Sequence, residues 1–525
     1  MDLFTLSERR YAQALSRLVY CNPFVAERLD LQREALGEQV LAQPVVWHKL
    51  TELDNNPSLE RLERHARELA TRARQRLADG AVASEPELLL YEDLILYLLY
   101  SSNRSGLDAI ISASLAQQPP PPLKQLWRRF LADFRHFLEI GGRTFPSGHE
   151  PGRIFAGIFQ IRRAFYHTFN FLVGASRPIS RLRGAVWESI FTHDFRRYVR
   201  RSLYNYLGDF PMLVTGPSGT GKELVARAVG LSRFISFNPK KEQFDADFAS
   251  SFYALNLSAL APTLIESELF GHQRGTFTGA VSDRAGWLEM CQPLGTVFLD
   301  EIGELDGAIQ VKLLRVLQDR TFQRLGETRT RRFLGKIIAA TNRDLPVEMR
   351  AGRFREDLYY RLCGDRITTP SLQEQFADSP DDLHNLLLFI ANRVVPEDAE
   401  ELANEVEAWI VRRLGRDYPW PGNFRELEQC VRNFLIRREY HPAHASGHGG
   451  LEDPRQALAA AVAAGTLTMD ELERSYATLV YAQTNSYLVT AQRLKRNWRT
   501  VKSKIDRELL QHLKKDGADQ TKDGK

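Results

Sequence analysis

Between Met212 and Val229 the hydrophobic pattern changes its period within a few residues. Met212, Leu213 and Val214 form an apolar run that predicts a strand, and Leu224, Val225, Ala228 and Val229 then fall on one side of a helix. Two further apolar runs end in polar residues: Thr296 to Leu299 runs into Asp300 and Glu301, and Ile337 to Ala340 into Thr341 and Asn342. Upstream, residues 1–172 read as mostly helical. The segment at 59–78 predicts an amphipathic helix with a solvated, mixed-charge face, and Pro119 to Pro122 predict a stiff break between two helical parts. A Gly/Pro-rich loop follows from Gly141 to Gly152. After it Phe155, Phe159, Phe165, Tyr166, Phe169 and Leu172 recur at near-helical spacing, a stripe expected to be core or a helix interface. From 467 the pattern is helical again, as two short helices about a tight turn.

The chain has 525 residues, a length for roughly three or four domains. A net charge of +4 is too small to imply a partner, so any basic surface must be local. Cys21, Cys291, Cys363 and Cys430 are scattered, which argues against a disulfide framework or a zinc site and suits a reducing compartment. The start, interrupted by Glu8, Arg9 and Arg10, carries no signal pattern, and Leu88 to Tyr100 contains Glu92 and Asp93 and is too short to cross a bilayer. A cytoplasmic protein without a membrane partner is expected.

The loop after the first strand matches G-x-x-x-x-G-K at Gly216, Gly221 and Lys222, and comprises Gly216, Pro217, Ser218, Gly219, Thr220, Gly221, Lys222 and Glu223. Backbone N–H groups converging from such a loop, with the following helix dipole and a lysine, make a phosphate cradle. Glu223 stands where Ser or Thr usually binds Mg²⁺. At the end of the second strand the adjacent Asp300 and Glu301 diverge, so Asp300 can hold Mg²⁺ while Glu301 orients and deprotonates water. Asn256 ends an apolar run that precedes a helical stretch and the loop Gly275–Ala280, where Phe277 is expected at an exposed tip. Arg355 and Arg361 are candidate arginine fingers, and Asn423 or the turn before it is expected to start a helix presenting Arg425.

Taken in order, GPSGTGKE, ESELFGHQRGTFTGA, GTVFLDEIGEL, AATNRDL, GRFREDLYYRL and WPGNFRELE resemble the bacterial enhancer-binding proteins, the AAA+ activators of sigma-54 RNA polymerase. The resemblance covers about half the chain. It implies an α/β ATPase core with a helical lid subdomain over 173–438, ATP and Mg²⁺ as cofactors, and a ring, usually a hexamer, with ATP between subunits. Position by position, it makes Gly216 to Glu223 the Walker A loop, where a glutamate after the lysine is normal, and Asp300 and Glu301 the Walker B pair. Asn256 matches the asparagine that restrains the catalytic glutamate. Asn342 matches sensor I, Arg355 and Arg361 the trans-acting arginines, and Arg425 sensor II. Phe277 and Thr278 match the residues that press on sigma-54. The chain departs from the family at Thr276 (GTFTGA for GAFTGA), at Pro217, in a longer stretch from Phe234 to Ser251 expected as a surface insertion, and at Pro370–Glu374, where a basic residue is missing.

Residues 439–466 read as a linker, 467–512 as a helix-turn-helix and 513–525 as a disordered tail. The helix-turn-helix is rich in Arg and Lys and resembles the Fis-type domain that ends most enhancer-binding proteins, which implies binding to double-stranded DNA upstream of promoters. Thr500 and Lys504 match its recognition helix, and Arg499, Lys502 and Ser503 occupy neighbouring exposed positions. Lys495 replaces the usual turn glycine. Residues 1–172 form a regulatory region whose signal the sequence does not name. Two other readings stay open: a DNA-bound regulator working without sigma-54, its ATPase vestigial, and an AAA+ remodeller of some other protein.

Overall fold

The computed structural model describes residues 2–37, 56–116, 118, 119, 121–208, 210–247, 251–442, 458, 462, 468–506 and 510. Most of the linker at 439–466, the tail at 513–525, Arg507 and Pro120 lie outside the described residues. Met1–Ile436 form one compact unit and Arg437–Lys525 a second.

The first unit begins with helices α1 (Leu6–Tyr20), α2 (Glu27–Leu36), α3 (Pro57–Ala78), α4 (Glu85–Leu115), α5 (Leu123–Leu138), α6 (Pro151–Phe171), α7 (Arg177–Phe191) and α8 (Phe195–Arg201). Their starts follow from local chemistry. Thr5 with Glu8, and Ser84 with Glu87, form capping boxes, and Asn56 caps α3 with Pro57 at its first turn. Leu62, Ala66, Leu69, Ala73 and Leu77 give α3 its single buried face. The run Leu88 to Tyr100 lies inside α4, and among the described residues no helix is long and apolar enough to cross a membrane.

A five-stranded parallel sheet follows: β1 (Met212–Thr215), β2 (Phe252–Asn256), β3 (Thr296–Asp300), β4 (Lys336–Thr341) and β5 (Asp365–Thr368), in the spatial order β5-β1-β4-β3-β2. In register, Leu213 faces Ala339 and Arg366, and Asn256 faces Asp300. Between the strands lie α9 (Lys222–Gly230), α10 (Pro262–Phe270), α11 (Gly307–Asp319) and α12 (Glu356–Leu362). The unit ends in four helices, α13 (Leu372–Asp378), α14 (Asp382–Val394), α15 (Ala399–Arg413) and α16 (Asn423–Arg437).

The aromatic stripe on α6 is core, and it is divided between two neighbours. Phe155 and Phe159 pack into the N-terminal helices, whereas Phe165 and Phe169 join Trp187 and Phe191 of α7 in one cluster with Val214 of β1 and Val225, Ala228 and Val229 of α9. Buried arginines fasten the same seam. Arg163 donates to the carbonyls of Leu231 (2.9 Å) and Arg233, just past α9, and Arg183 of α7 donates to Leu172 and Gly174. The extra stretch from Phe234, of which 248–250 lie outside the described residues, is not a surface insertion. It makes a hairpin (237–238 with 243–244) whose Phe237 is buried 4.6 Å from Trp127 and 4.9 Å from Phe155, ring centre to ring centre. Aromatic side chains on both partners draw it inward.

In the second unit α17 (Met469–Thr484), α18 (Tyr487–Leu494) and α19 (Trp498–Lys504) pack around Ala477, Val480, Ala491 and Val501. Lys495 ends α18 with φ 51° and ψ 45°, so a lysine does occupy the left-handed turn position.

Candidate active site

The phosphate loop leaves β1 at Thr215 and enters α9 at Lys222. Two of its glycines are required by their surroundings. Gly216 has φ 145° and a Cβ there would sit 2.2 Å from the Thr369 hydroxyl; Gly219 has φ 75° and a Cβ would sit 2.2 Å from the carbonyl oxygen of Gly422. The second contact shows that the C-terminal helices close directly over the loop. Phe424 N–H donates to the Gly219 carbonyl (3.0 Å), Asn423 Nδ2 to the Ser218 carbonyl (2.9 Å), and Arg425 Nη1 lies 3.5 Å from Ser218 Oγ. Asn423, itself left-handed at φ 52°, also accepts from the Leu372 N–H at 2.9 Å. Sequence reading gave Asn423 only a helix start. Its clamp joins residues 205 positions apart, and the one sequence signal for it is a small amide directly after the Pro-Gly break.

Lys222 folds back over its own loop, where its Nζ donates to the carbonyls of Gly216 and Pro217 at 3.1 Å each. Pro217 also accepts from the Thr220 hydroxyl at 2.8 Å. Burial holds the Lys222 ammonium below the ordinary lysine range, against the pull of Glu301 and Asp300. Burial and the Glu301 charge push the Asp300 carboxyl above the usual aspartate range, against the pull of Lys222. Half-buried beside Lys222 and Glu301, Asp300 offers a carboxylate oxygen of the kind Mg²⁺ takes. Glu223 pairs with Arg227 at 2.8 Å, one helical turn on.

Glu301 follows β3 in the left-handed region, at φ 57° and ψ 53°. Its N–H donates to Asp300 Oδ1 (3.1 Å), and its carboxylate accepts from the Asn342 backbone N–H at the end of β4 (3.2 Å). Asn256 stands on the neighbouring strand opposite Asp300, but its side chain serves a local turn, accepting from the Ser258 N–H (3.0 Å) and hydroxyl (2.8 Å). The structure therefore ties Glu301 to Asn342 and gives Asn256 another partner.

Arg355 caps α12 and Arg361 lies in its last turn, both exposed. Arg355 forms a bidentate pair with Asp357 at 2.7 and 3.0 Å, and a solvent-screened surface pair of this kind is little hindrance to a change of partner. The loop Gly275–Ala280 closes as a hairpin, with Gly275 N–H donating to the Ala280 carbonyl at 2.9 Å. Phe277 is not at an exposed tip. It is half-buried, its ring edge-on to His272 at 5.0 Å, because the buried His272, held by Ser267 at 2.7 Å, offers an aromatic face. Thr278 is exposed, and Thr276 lies over Gly326.

In the second unit Arg499, Thr500, Lys502 and Ser503 are exposed on α19. Lys504 differs: it turns to α17 and pairs with Asp470 and, at 3.3 Å, with Glu473, because two carboxylates face it there. Arg496 also pairs with Glu473, at 3.2 Å.

With this geometry in place, comparison with known proteins gives a consistent result. The Sigma-54 interaction domain family matches residues 192–368. The Nif-specific regulatory protein of Azotobacter vinelandii is 44% identical over 228 residues, covering 43% of this chain and 40% of that protein. The transcriptional regulatory protein GlrR of Escherichia coli is 42% identical over 229 residues (42% and 47%), and the hydrogenase transcriptional regulatory protein HoxA of Bradyrhizobium diazoefficiens 41% identical over 228 residues (43% and 43%). The chain thus spans less than half the length of these curated relatives. NtrX from Brucella abortus in complex with ATP superimposes with a TM-score of 0.39 at 21% identity over 71% of this chain and 79% of its own, too loosely to carry weight. Over residues 192–368 the chain is thus similar to the sigma-54 interaction domain, carried here on a parallel α/β sheet.

Proposed function

We propose that the chain is a transcriptional activator that hydrolyses ATP in a ring assembly, a hexamer, and uses it to convert sigma-54 RNA polymerase from a closed to an open promoter complex. The observation that carries this reading is the convergence on one loop of Lys222, the Asp300–Glu301 pair and Arg425. The N–H groups from Gly216 to Glu223 bind the phosphates of ATP, and Lys222 turns from its own carbonyls to the β- and γ-phosphates. Asp300 holds Mg²⁺, which when bound neutralises charge on the phosphate oxygens. Glu301, steadied by Asn342, orients water and takes its proton. Arg425 reads the γ-phosphate from the lid, and Arg355 and Arg361 reach the nucleotide of a neighbouring subunit. Asn256 exchanges its local turn for Glu301 as the nucleotide state changes.

Phe277 and Thr278 press on sigma-54 once the loop leaves His272. The module at 467–512 binds DNA upstream of promoters through Arg499, Thr500, Lys502 and Ser503. Lys504 braces α19 from behind and adds to the field without a base contact. Residues 1–172 regulate the motor, 439–466 link it to the DNA module, and the setting is cytoplasmic.

The test is capture of purified sigma-54 in the presence of ADP–aluminium fluoride, which mimics the transferring phosphoryl group. Wild type retains sigma-54 and Phe277→Ala loses at least tenfold of the retention. Retention unchanged by that substitution contradicts the loop's role.

A further inference from the structure

The N-terminal helices enclose a cavity of about 200 Å³ that the nucleotide site does not use. Much of its wall is apolar, with aromatic rings prominent: Tyr97 and Tyr100 from α4, Ile158 and Phe165 from α6, Trp187 from α7 and Phe195 from α8. Sterically, an apolar cavity of about 150 Å³ takes a benzene molecule, so this one takes a ring with a short substituent. On α6 the wall includes Gly157, where an added Cβ would meet nothing within 4 Å. Glycine is a poor residue for a helix interior, and here it keeps space open.

The polar part of the wall is shared by Ser101 and Arg104 of α4, Arg153 and Gln160 of α6, and Arg28 and Gln32 of α2. Arg28 and Gln32, four residues apart and so on one helix face, are 2% and 1% exposed and both line the cavity. Gln32 Oε1 has no hydrogen-bond donor among the described residues. A buried acceptor without a donor is destabilising, and a ligand O–H would satisfy it. A ligand hydroxyl can donate its proton to Gln32 Oε1, with its oxygen on the Arg28 side of the wall.

We propose that this cavity is an effector site for a small uncharged apolar molecule carrying one hydroxyl group, its body among the aromatic walls and its hydroxyl between Gln32 and Arg28. Occupancy is tied to the phosphate-loop helix. Tyr198, a wall residue, donates to Gln160 Oε1 at 2.9 Å, and Gln160, also in the wall, donates from Nε2 to the Ser232 carbonyl at 3.0 Å, two residues beyond α9. Arg163 holds the flanking carbonyls of Leu231 and Arg233. A ligand that moves Tyr198 therefore moves the end of α9, and this coupling rests on the nucleotide reading above.

The experiment uses the full chain and three probes with similar bodies and different heads: 4-ethylphenol, ethylbenzene and 4-ethylbenzoate. Binding is followed by calorimetry without nucleotide. Wild type binds 4-ethylphenol saturably and at least tenfold tighter than the other two. Gly157→Leu, which fills the space and removes a helix glycine, melts no lower than wild type and loses the binding. Gln32→Leu binds 4-ethylphenol no better than ethylbenzene. Absence of saturable binding to wild type, equal binding to a folded Gly157→Leu, or tighter binding of the carboxylate overturns the site.

Calorimetry with ADP reads the coupling: saturating 4-ethylphenol shifts ADP affinity at least fivefold in wild type and not in Gly157→Leu, and an unchanged affinity overturns it. ADP that fails to bind in any condition overturns the nucleotide reading, while the probe titrations still judge the cavity.

Discussion

Glu301 is held in a backbone state that costs a non-glycine residue on the order of 1–3 kcal/mol, and it occupies the position where the carboxylate meets the Asn342 N–H. Strain of this kind persists where surrounding structure over-determines it, and here strands β3 and β4 do so. The same logic governs Gly219. Gly219→Ala forces φ 75° on an L-residue and drives a Cβ into the Gly422 carbonyl, so it should lower stability by about 1–3 kcal/mol or more and ADP affinity at least tenfold. Gly307→Ala is the control, because a Cβ there meets nothing; thermal melts and ADP titration of the two variants check the difference. At this scale much was legible. Lys222, Asp300 and Glu301 sit in short motifs whose chemistry is local. Asn423 was not legible as a clamp, because its partner Ser218 is remote in the chain and only the fold brings them together.

Among the elements, the hairpin loop at Gly275–Ala280 leans on a second short hairpin, 321–322 with 331–332. Gln273 N–H donates to the Leu325 carbonyl at 3.0 Å, Leu325 N–H to that of Gly271 at 2.9 Å, and Thr276 Cγ2 fills the place of the missing Gly326 side chain, 2.1 Å from a built Cβ. The threonine of GTFTGA is therefore matched to a glycine. Gly326→Ala should destabilise the wild-type loop, and Thr276→Ala should relieve part of that loss. A double-mutant cycle by thermal melts should give a coupling of about 0.5–3 kcal/mol, and strict additivity would show that the two positions are independent. The sequence showed an apolar Phe277 between glycines and suggested exposure. It gave no view of His272 as a docking face, since a ring pairing across a turn has no periodic signature. The strand order β5-β1-β4-β3-β2 was likewise beyond reach, because each apolar run announces a strand and none announces its neighbour.

For the molecule as a whole, the N-terminal helices and the parallel-sheet core share a hydrophobic cluster and a row of buried arginine contacts. The charged face of α3 was readable from spacing, but the buried Arg162, Arg163 and Arg183 and the cavity were not, since an arginine in sequence looks like surface. Deleting residues 1–172 removes Phe165 and Phe169 from Val225, Ala228 and Val229 and uncovers that face. The truncated chain should bind the dye ANS strongly and melt well below wild type; a truncation as stable as the full chain would mean the cluster is dispensable.

On the proposed reading, the loop, the carboxylate pair and the C-terminal helices together cleave ATP. Steady-state turnover of wild type against Glu301→Gln, with ATP affinity measured alongside, tests it most directly. Wild type should hydrolyse ATP, and Glu301→Gln should lose about 10²-fold or more of that rate with binding retained. Equal turnover in the two proteins would contradict it.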